Sequence, residues 1–185
     1  MPEIILASQS PRRKQLLEWA EIDFDIIVAD TDESFPKDLS SEQIAIHIAS
    51  EKAKAVHAKA RNKIIIAADT IVVLNDEIIG KPIDRNDAIR ILNRLSGSHH
   101  KVITGVVILQ GNKKKSFADT TDVEFHPLAQ RQIEFYVDKY KPYDKAGAYA
   151  IQEWIGVVGI KSVTGDFYNV MGLPVSRVVQ ELSKF

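Results

Sequence analysis

Apolar and polar positions alternate along the chain in a way that predicts a succession of strands and helices. Residues 4–7 are apolar and break into Ser8-Gln9-Ser10-Pro11. That break predicts a strand feeding a helix, with Ser10 as N-cap and Pro11 in the first helical position, running to about Trp19. Residues 24–28 alternate as a strand and lead into the acidic stretch Asp30-Thr31-Asp32-Glu33. Ser40 or Ser41 opens a long helix through about Ala60, with Ile44, Ile48 and Ala55 on one face. The continuous apolar run 64–68 has the character of a strand covered on both faces. Residues 71–74 and 77–79 flank Asn75-Asp76, a hairpin signal. Residues 84–95 read as a helix closed by Gly97, and 129–140 as another helix. Two long strands, 101–109 and 115–125, are joined through Gly111-Asn112. A strand over 156–163 and a last helix over 174–182, with Pro174 at its start, complete the series. About five helices and seven strands predict an α/β fold with a mixed sheet.

Composition fits an ordinary packed domain. Hydrophobic residues make up 45% of the 185 and charged ones 26%, enough apolar material for a core. There is no internal repeat, low-complexity segment or Pro/Gly-rich linker, so residues 1–185 read as one domain. Net charge is -1, from 24 basic and 25 acidic side chains, which disfavours a nucleic-acid binder relying on bulk electrostatics. No cysteine is present, excluding disulfides, thiolate metal sites and a cysteine nucleophile. The first residues lack a basic region followed by an apolar core, and no apolar run is long enough for a membrane span. The expected location is the cytoplasm.

Three stretches could carry chemistry, each with an ordinary structural alternative. In Ser8-Gln9-Ser10-Pro11-Arg12-Arg13, two hydroxyls and two arginines crowd a helix start. Free N–H groups there favour anions over cations, so the arginines make sense if a phosphate sits between them and the backbone. The alternative is a pair of solvated arginines. Asp69-Thr70 follows the buried run 64–68, and a carboxylate at a strand end commonly serves as a base or metal ligand. It can equally cap a turn. Lys81, in Gly80-Lys81-Pro82, is either aimed inward by its rigid frame or a turn lysine on the surface. Of Glu51-Lys52, on one helix, at most one side chain faces a site comfortably.

The third stretch runs from Asp144 to Gln152. Gly147 among small residues permits close backbone approach, and Gln152 offers both a donor and an acceptor to the edge of a base. Its alternative is a polar loop that starts a strand. The segment from Tyr168-Asn169 to Gly172-Leu173-Pro174 reads as structural. His99 and His100 are adjacent and lack the spacing of a zinc helix motif. No Gly-x-x-x-x-Gly-Lys loop, dinucleotide fingerprint or Gly-x-Ser-x-Gly elbow is present, which disfavours P-loop, Rossmann and α/β-hydrolase chemistry.

Together these segments resemble the Maf family of nucleoside triphosphate pyrophosphatases. The matching pieces, in the family's order, begin with Leu6-Ala7-Ser8-Gln9-Ser10-Pro11-Arg12-Arg13, Glu51-Lys52-Ala53, and Ala67-Ala68-Asp69-Thr70 with Gly80-Lys81-Pro82. Leu95-Ser96-Gly97, Thr104-Gly105-Val106, the run from Asp144 to Gln152, and Asn169-Val170-Met171-Gly172-Leu173-Pro174 follow. The resemblance implies an elongated α/β fold, similar to inosine triphosphate pyrophosphatases, with two lobes around a deep cleft, and a homodimer. It implies a Mg²⁺- or Mn²⁺-dependent cut between the α and β phosphates of a nucleoside triphosphate. By position, Asp69 would be the general base, and Glu33 with Asp69 would hold the metal. Ser8, Arg12, Arg13, Lys52 and Lys81 would bind the triphosphate.

Arg12, Thr70 and Gln152 match positions that separate substrate subgroups, and their identities resemble the subgroup acting on dTTP and UTP. The sister subgroup, acting on 7-methyl-GTP, has Trp, Gln and Glu there. Two positions depart from the family pattern. Gln152 is followed by Glu153 where many relatives have Gly, and Lys141 stands where an acidic residue often precedes the proline. Glu153 would either alter the base pocket or point to solvent. The competing expectations are a pyrophosphatase for modified nucleotides, and a nucleotide-binding regulator of cell division that lacks significant catalysis, since relatives are linked to septum formation.

Overall fold

The computed structural model describes residues 3–185; Met1 and Pro2 lie outside the described residues. Among the described residues seven strands form one sheet: β1 Ile4–Leu6, β2 Phe24–Ile26, β3 Ile64–Leu74, β4 Glu77–Ile79, β5 His99–Gln110, β6 Lys113–Phe125 and β7 Ile160–Thr164. Seven α-helices are present among the described residues: α1 Pro11–Trp19, α2 Ser41–His57, α3 Arg85–Leu95, α4 Gln130–Tyr140, α5 Trp154–Gly159, α6 Phe167–Val170 and α7 Val175–Leu182. One 3₁₀ turn covers Ala146–Ala148. The strand order is β2-β1-β3-β5-β6-β7, with β4 on β3. β1 pairs in parallel with β2 and β3, while β4 and β7 run antiparallel to β3 and β6, so the sheet is mixed as expected.

Local signals account for most of these elements. Ser10 caps α1 by accepting from the Arg13 backbone N–H, with Pro11 at the start. Ser40 caps α2 in a reciprocal capping box with Gln43. Asn75 and Asp76 both take left-handed backbone (φ 50° and 62°), the conformation a tight hairpin turn needs.

Three expectations need correction. Asp69 and Thr70 do not end a strand: β3 runs unbroken through them for 11 residues. The two polar residues interrupt the apolar run in the sequence, but side chains from elsewhere satisfy them, so the ladder continues. Residues 156–159 are not strand but the end of α5; β7 begins only at Ile160. The valines of this segment favour a strand by propensity, yet Ile155 and Gly159 are buried while Val157 is 81% exposed, and tertiary packing decides. The stretch after Asp144 therefore leads into a helix rather than a strand. Helix α6 is an addition to the expected series, too short for periodicity to reveal.

The chain packs as two compact units. The first comprises residues 1–70, 104–119 and 172–185; the second comprises 71–103 and 120–171. In the first, Ile5, Ala7, Ala49, Ala53, Val56, Ile65, Ala67 and Val107 form a buried cluster. The small side chains of α2 let it lie close to the strands. At Gly105 on β5 the approach is tightest, since a Cβ there would come within 2.3 Å of the Ala45 backbone carbon. Only glycine fits, which fixes the helix that carries Lys52. In the second unit, α3 and α4 bury Ala88, Ile91, Leu92, Leu95, Ile133, Tyr136 and Val137, and Arg85 grips Asp138 through two bonds of 2.6 and 2.9 Å.

Candidate active site

The chain leaves β1 still attached to β3, since Ala7 N donates to Ile66 O at 2.8 Å, and this holds Ser8 at the sheet. Ser8 Oγ accepts from Ser10 N and from Arg13 Nη1, both at 3.2 Å, leaving its own O–H to donate. Arg13 is buried. Its Nε donates to Gly172 O at 2.7 Å and its Nη2 to Thr70 Oγ1 at 2.9 Å. Three of its N–H groups are thus spent on the protein, and Arg13 is as much a tie between α1, β3 and the Gly172 turn as a cation for a ligand. Burial lowers its pKa; nearby Asp69 opposes that, Arg12 adds to it, and Glu33 opposes it. Arginine stays protonated regardless. Thr70 Oγ1 also bonds Thr104 Oγ1 at 2.9 Å.

Beside this network, α2 presents Lys52 inward. Its Nζ lies 2.8 Å from Asp69 Oδ1 and 2.8 Å from Glu33 Oε1. Lys52 and Asp69 are largely covered, with side chains 19% and 14% exposed. Glu51 turns the other way and pairs with Lys54 at 2.7 Å, which lowers its pKa. Two carboxylates therefore converge on one cation. A hard divalent ion takes such a donor set when waters and phosphate oxygens complete its shell. Among the described residues no cluster of three or more His, Asp or Glu could form an all-protein cage.

Ser8, Arg12, Arg13, Glu33, Lys52, Asp69 and Thr70 all belong to the first unit, whereas Lys81 and Gln152 belong to the second. Lys81 is exposed just after β4. The run from Asp144 docks beside it: Gly147 N donates to Gly80 O at 3.2 Å, and Gly147, at φ 72°, leaves only 3.0 Å between a would-be Cβ and Val72. Gln152 is exposed. Glu153 neither lies free nor points simply to solvent: it accepts from the Tyr136 hydroxyl and sits 3.7 Å from Lys145 Nζ. Lys141 caps α4 in left-handed backbone (φ 46°).

Asn169 is fully buried and its Nδ2 donates to Val102 O and Thr121 Oγ1, both at 3.1 Å, consistent with a structural part. His100 is buried as well, 2.6 Å from the Tyr149 hydroxyl and packed on Phe125. Burial, with a smaller push from His99, depresses its pKa to about 4.

Sequence reasoning gives no individual role to Thr104, Gly172, Lys145 or Tyr136. For Thr104 a signal exists: it is a polar residue inside an apolar strand run, fully buried. Tyr136 carries none, because a tyrosine on the inner face of a helix looks like core.

The family profile described as Maf-like protein matches residues 3–185. The dTTP/UTP pyrophosphatase of Cytophaga hutchinsonii is 51% identical, across 98% of this chain and 84% of that protein. That of Bacteroides thetaiotaomicron is 47% identical, across 98% and 95%. The solved structure of the Ham1 protein of Staphylococcus aureus is a fainter likeness, 19% identical with a TM-score of 0.47, covering 66% of this chain and 71% of that one. On the extent of the profile match and of these two relatives, the chain belongs to the Maf family.

Proposed function

We propose that this protein hydrolyses dTTP and UTP to the monophosphate and pyrophosphate, with a divalent cation, Mg²⁺ or Mn²⁺. The observation that carries the reading is Lys52, held at 2.8 Å from both Glu33 and Asp69. The relatives named dTTP/UTP pyrophosphatase supply the substrate class. Glu33 and Asp69 are the residues that would hold the ion, whose chemistry is to offset charge on the phosphate oxygens.

In this reading Asp69 accepts a proton from the water that attacks the α-phosphorus. The bond from that phosphorus to the bridging oxygen breaks, and pyrophosphate leaves. Ser8, through its remaining O–H, and Arg12 bind phosphate oxygens. Arg13 adds fixed positive charge while holding Ser8 and Thr70 in place. Lys52 and Lys81 offset charge on the departing pyrophosphate, an electrostatic contribution that is strongest where water is excluded. Arg12, Thr70 and Gln152 select the pyrimidine base. Residues 1–185 act as one Maf-like domain, since the family profile runs through both units. From the resemblance we take the enzyme as a homodimer, and we keep the cytoplasm as its expected location; among the described residues no helix is long and apolar enough to cross a membrane.

The test is product analysis with dTTP and UTP in Mg²⁺ or Mn²⁺. The expected products are the monophosphate and pyrophosphate. Release of single phosphates would overturn the reaction type, and tight nucleotide binding without turnover would favour the regulator.

A further inference from the structure

Gln152 stands at the third position of a tight turn, residues 150–153, closed by Glu153 N donating to Ala150 O at 3.1 Å. A single hydroxyl ties both ends of that turn. Tyr136, fully buried on α4, accepts from Ala150 N at 3.1 Å and donates to the Glu153 carboxylate. The other Glu153 oxygen lies 3.7 Å from Lys145 Nζ, which is itself 2.9 Å from Asp144. Tyr136 is in turn stacked on Tyr140, ring centroids 5.0 Å apart. The second residue of the turn is fixed too. A Cβ at Gly156 would fall 1.7 Å from Ile151 O, so the Ile151 carbonyl rests directly against the start of α5. Ala150 and Ile151 are buried and Glu153 is half-buried; Gln152 is the exposed one.

We infer that Tyr136, acting through Glu153, is a positioning residue for nucleotide selection: it holds the turn so that the Gln152 amide is presented in one orientation. A glutamine in a free loop would lose conformational freedom each time it met a base, and anchoring the backbone on both sides removes part of that cost. Glu153, the departure from the family pattern, thereby gains a function as the acceptor that completes the tie. The inference rests on the reading of Gln152 as the residue that meets the base.

The test measures steady-state kinetics with UTP and ATP for Tyr136→Phe, Gln152→Ala and the double variant. Tyr136→Phe is expected to raise KM for UTP about ten-fold, the size of one lost hydrogen bond, with a far smaller fall in kcat. The preference for UTP over ATP in kcat/KM falls by a similar factor. In the Gln152→Ala background, adding Tyr136→Phe changes KM less than about two-fold, because two residues acting as a unit are not additive.

If Gln152→Ala raises KM but Tyr136→Phe does not, the positioning role is wrong and the Gln152 reading survives. If Gln152→Ala changes neither KM nor preference, the Gln152 reading fails and takes this inference with it. If Tyr136→Phe lowers kcat alike for all nucleotides and in both backgrounds, the tyrosine is merely structural. Glu153 gives an independent route should Tyr136→Phe not fold. Glu153→Leu removes the acceptor and should reproduce the KM effect, and Glu153→Gln should restore most of it; equal effects of the two would contradict the tie.

Discussion

The two units hold their candidate side chains in opposite ways. In the first, charged groups sit on regular elements: Asp69 inside β3, Lys52 on α2, Arg13 at the start of α1. They are fixed by one another, ammonium between carboxylates and guanidinium between hydroxyls. In the second, Gln152 stands on a turn and is fixed by a buried hydroxyl on its neighbours rather than by any charge of its own. For Asp69 and Gln152 the difference matches the tasks proposed for them. Reaction chemistry needs strong, preorganised charge, and base selection needs a neutral group whose donor and acceptor are aimed.

If that division holds, Asp69→Asn gives the largest effect. The amide keeps an acceptor for Lys52 but cannot take a proton, so kcat should fall about a thousand-fold with thermal stability little changed, as expected for loss of a general base. Turnover close to wild type would remove Asp69 from that role. Lys52→Met comes next. It should lower kcat about a hundred-fold, the order seen for loss of one charge-stabilising group. Because it also strips the cation from between Glu33 and Asp69, it should tighten Mn²⁺ binding measured by calorimetry without nucleotide. Weaker Mn²⁺ binding would mean that these carboxylates are not the metal's ligands.

The smallest effect on activity belongs to His100, in the second unit and outside both candidate sets. Its pKa is about 4 when folded against 6.5 ordinarily, so it is neutral in the folded state and the unfolded chain binds the extra proton. Its contribution to stability is complete above pH 6.5 and is lost as pH falls toward 4. The loss amounts to about 3 kcal/mol. Urea midpoints at pH 7 and pH 4.5 should therefore converge more for His100→Gln than for wild type, with kcat at pH 7 unaltered by more than a small factor. An unchanged gap between the two midpoints would show that His100 does not titrate as described.

Much of this was legible in the sequence where the cause is local. Ser10-Pro11, the helix start at Ser40 or Ser41, and Asn75-Asp76 are read from a few neighbouring residues because capping and turn geometry are decided there. The continuity of β3 was not, because the partners that satisfy Asp69 and Thr70 come from Lys52, Arg13 and Thr104, far along the chain. Arg13 illustrates the same limit. Its bond to Gly172 O joins residues 159 positions apart, so a sequence shows the guanidinium but not that it is already engaged. Helix α5 escaped because Val157 and Val158 favour strands locally, whereas Ile155 is buried and Gly159 lies against Leu128 and Phe125, outside the segment. The candidate residues themselves were named by the set of motifs together, since each alone had an ordinary explanation.

The central claim, that water activated beside Asp69 attacks the α-phosphorus, is tested most directly by hydrolysing UTP in water enriched in heavy oxygen and weighing both products. One heavy oxygen in the monophosphate and none in the pyrophosphate is the predicted result. Label in the pyrophosphate would place the attack on the β-phosphorus and contradict the account.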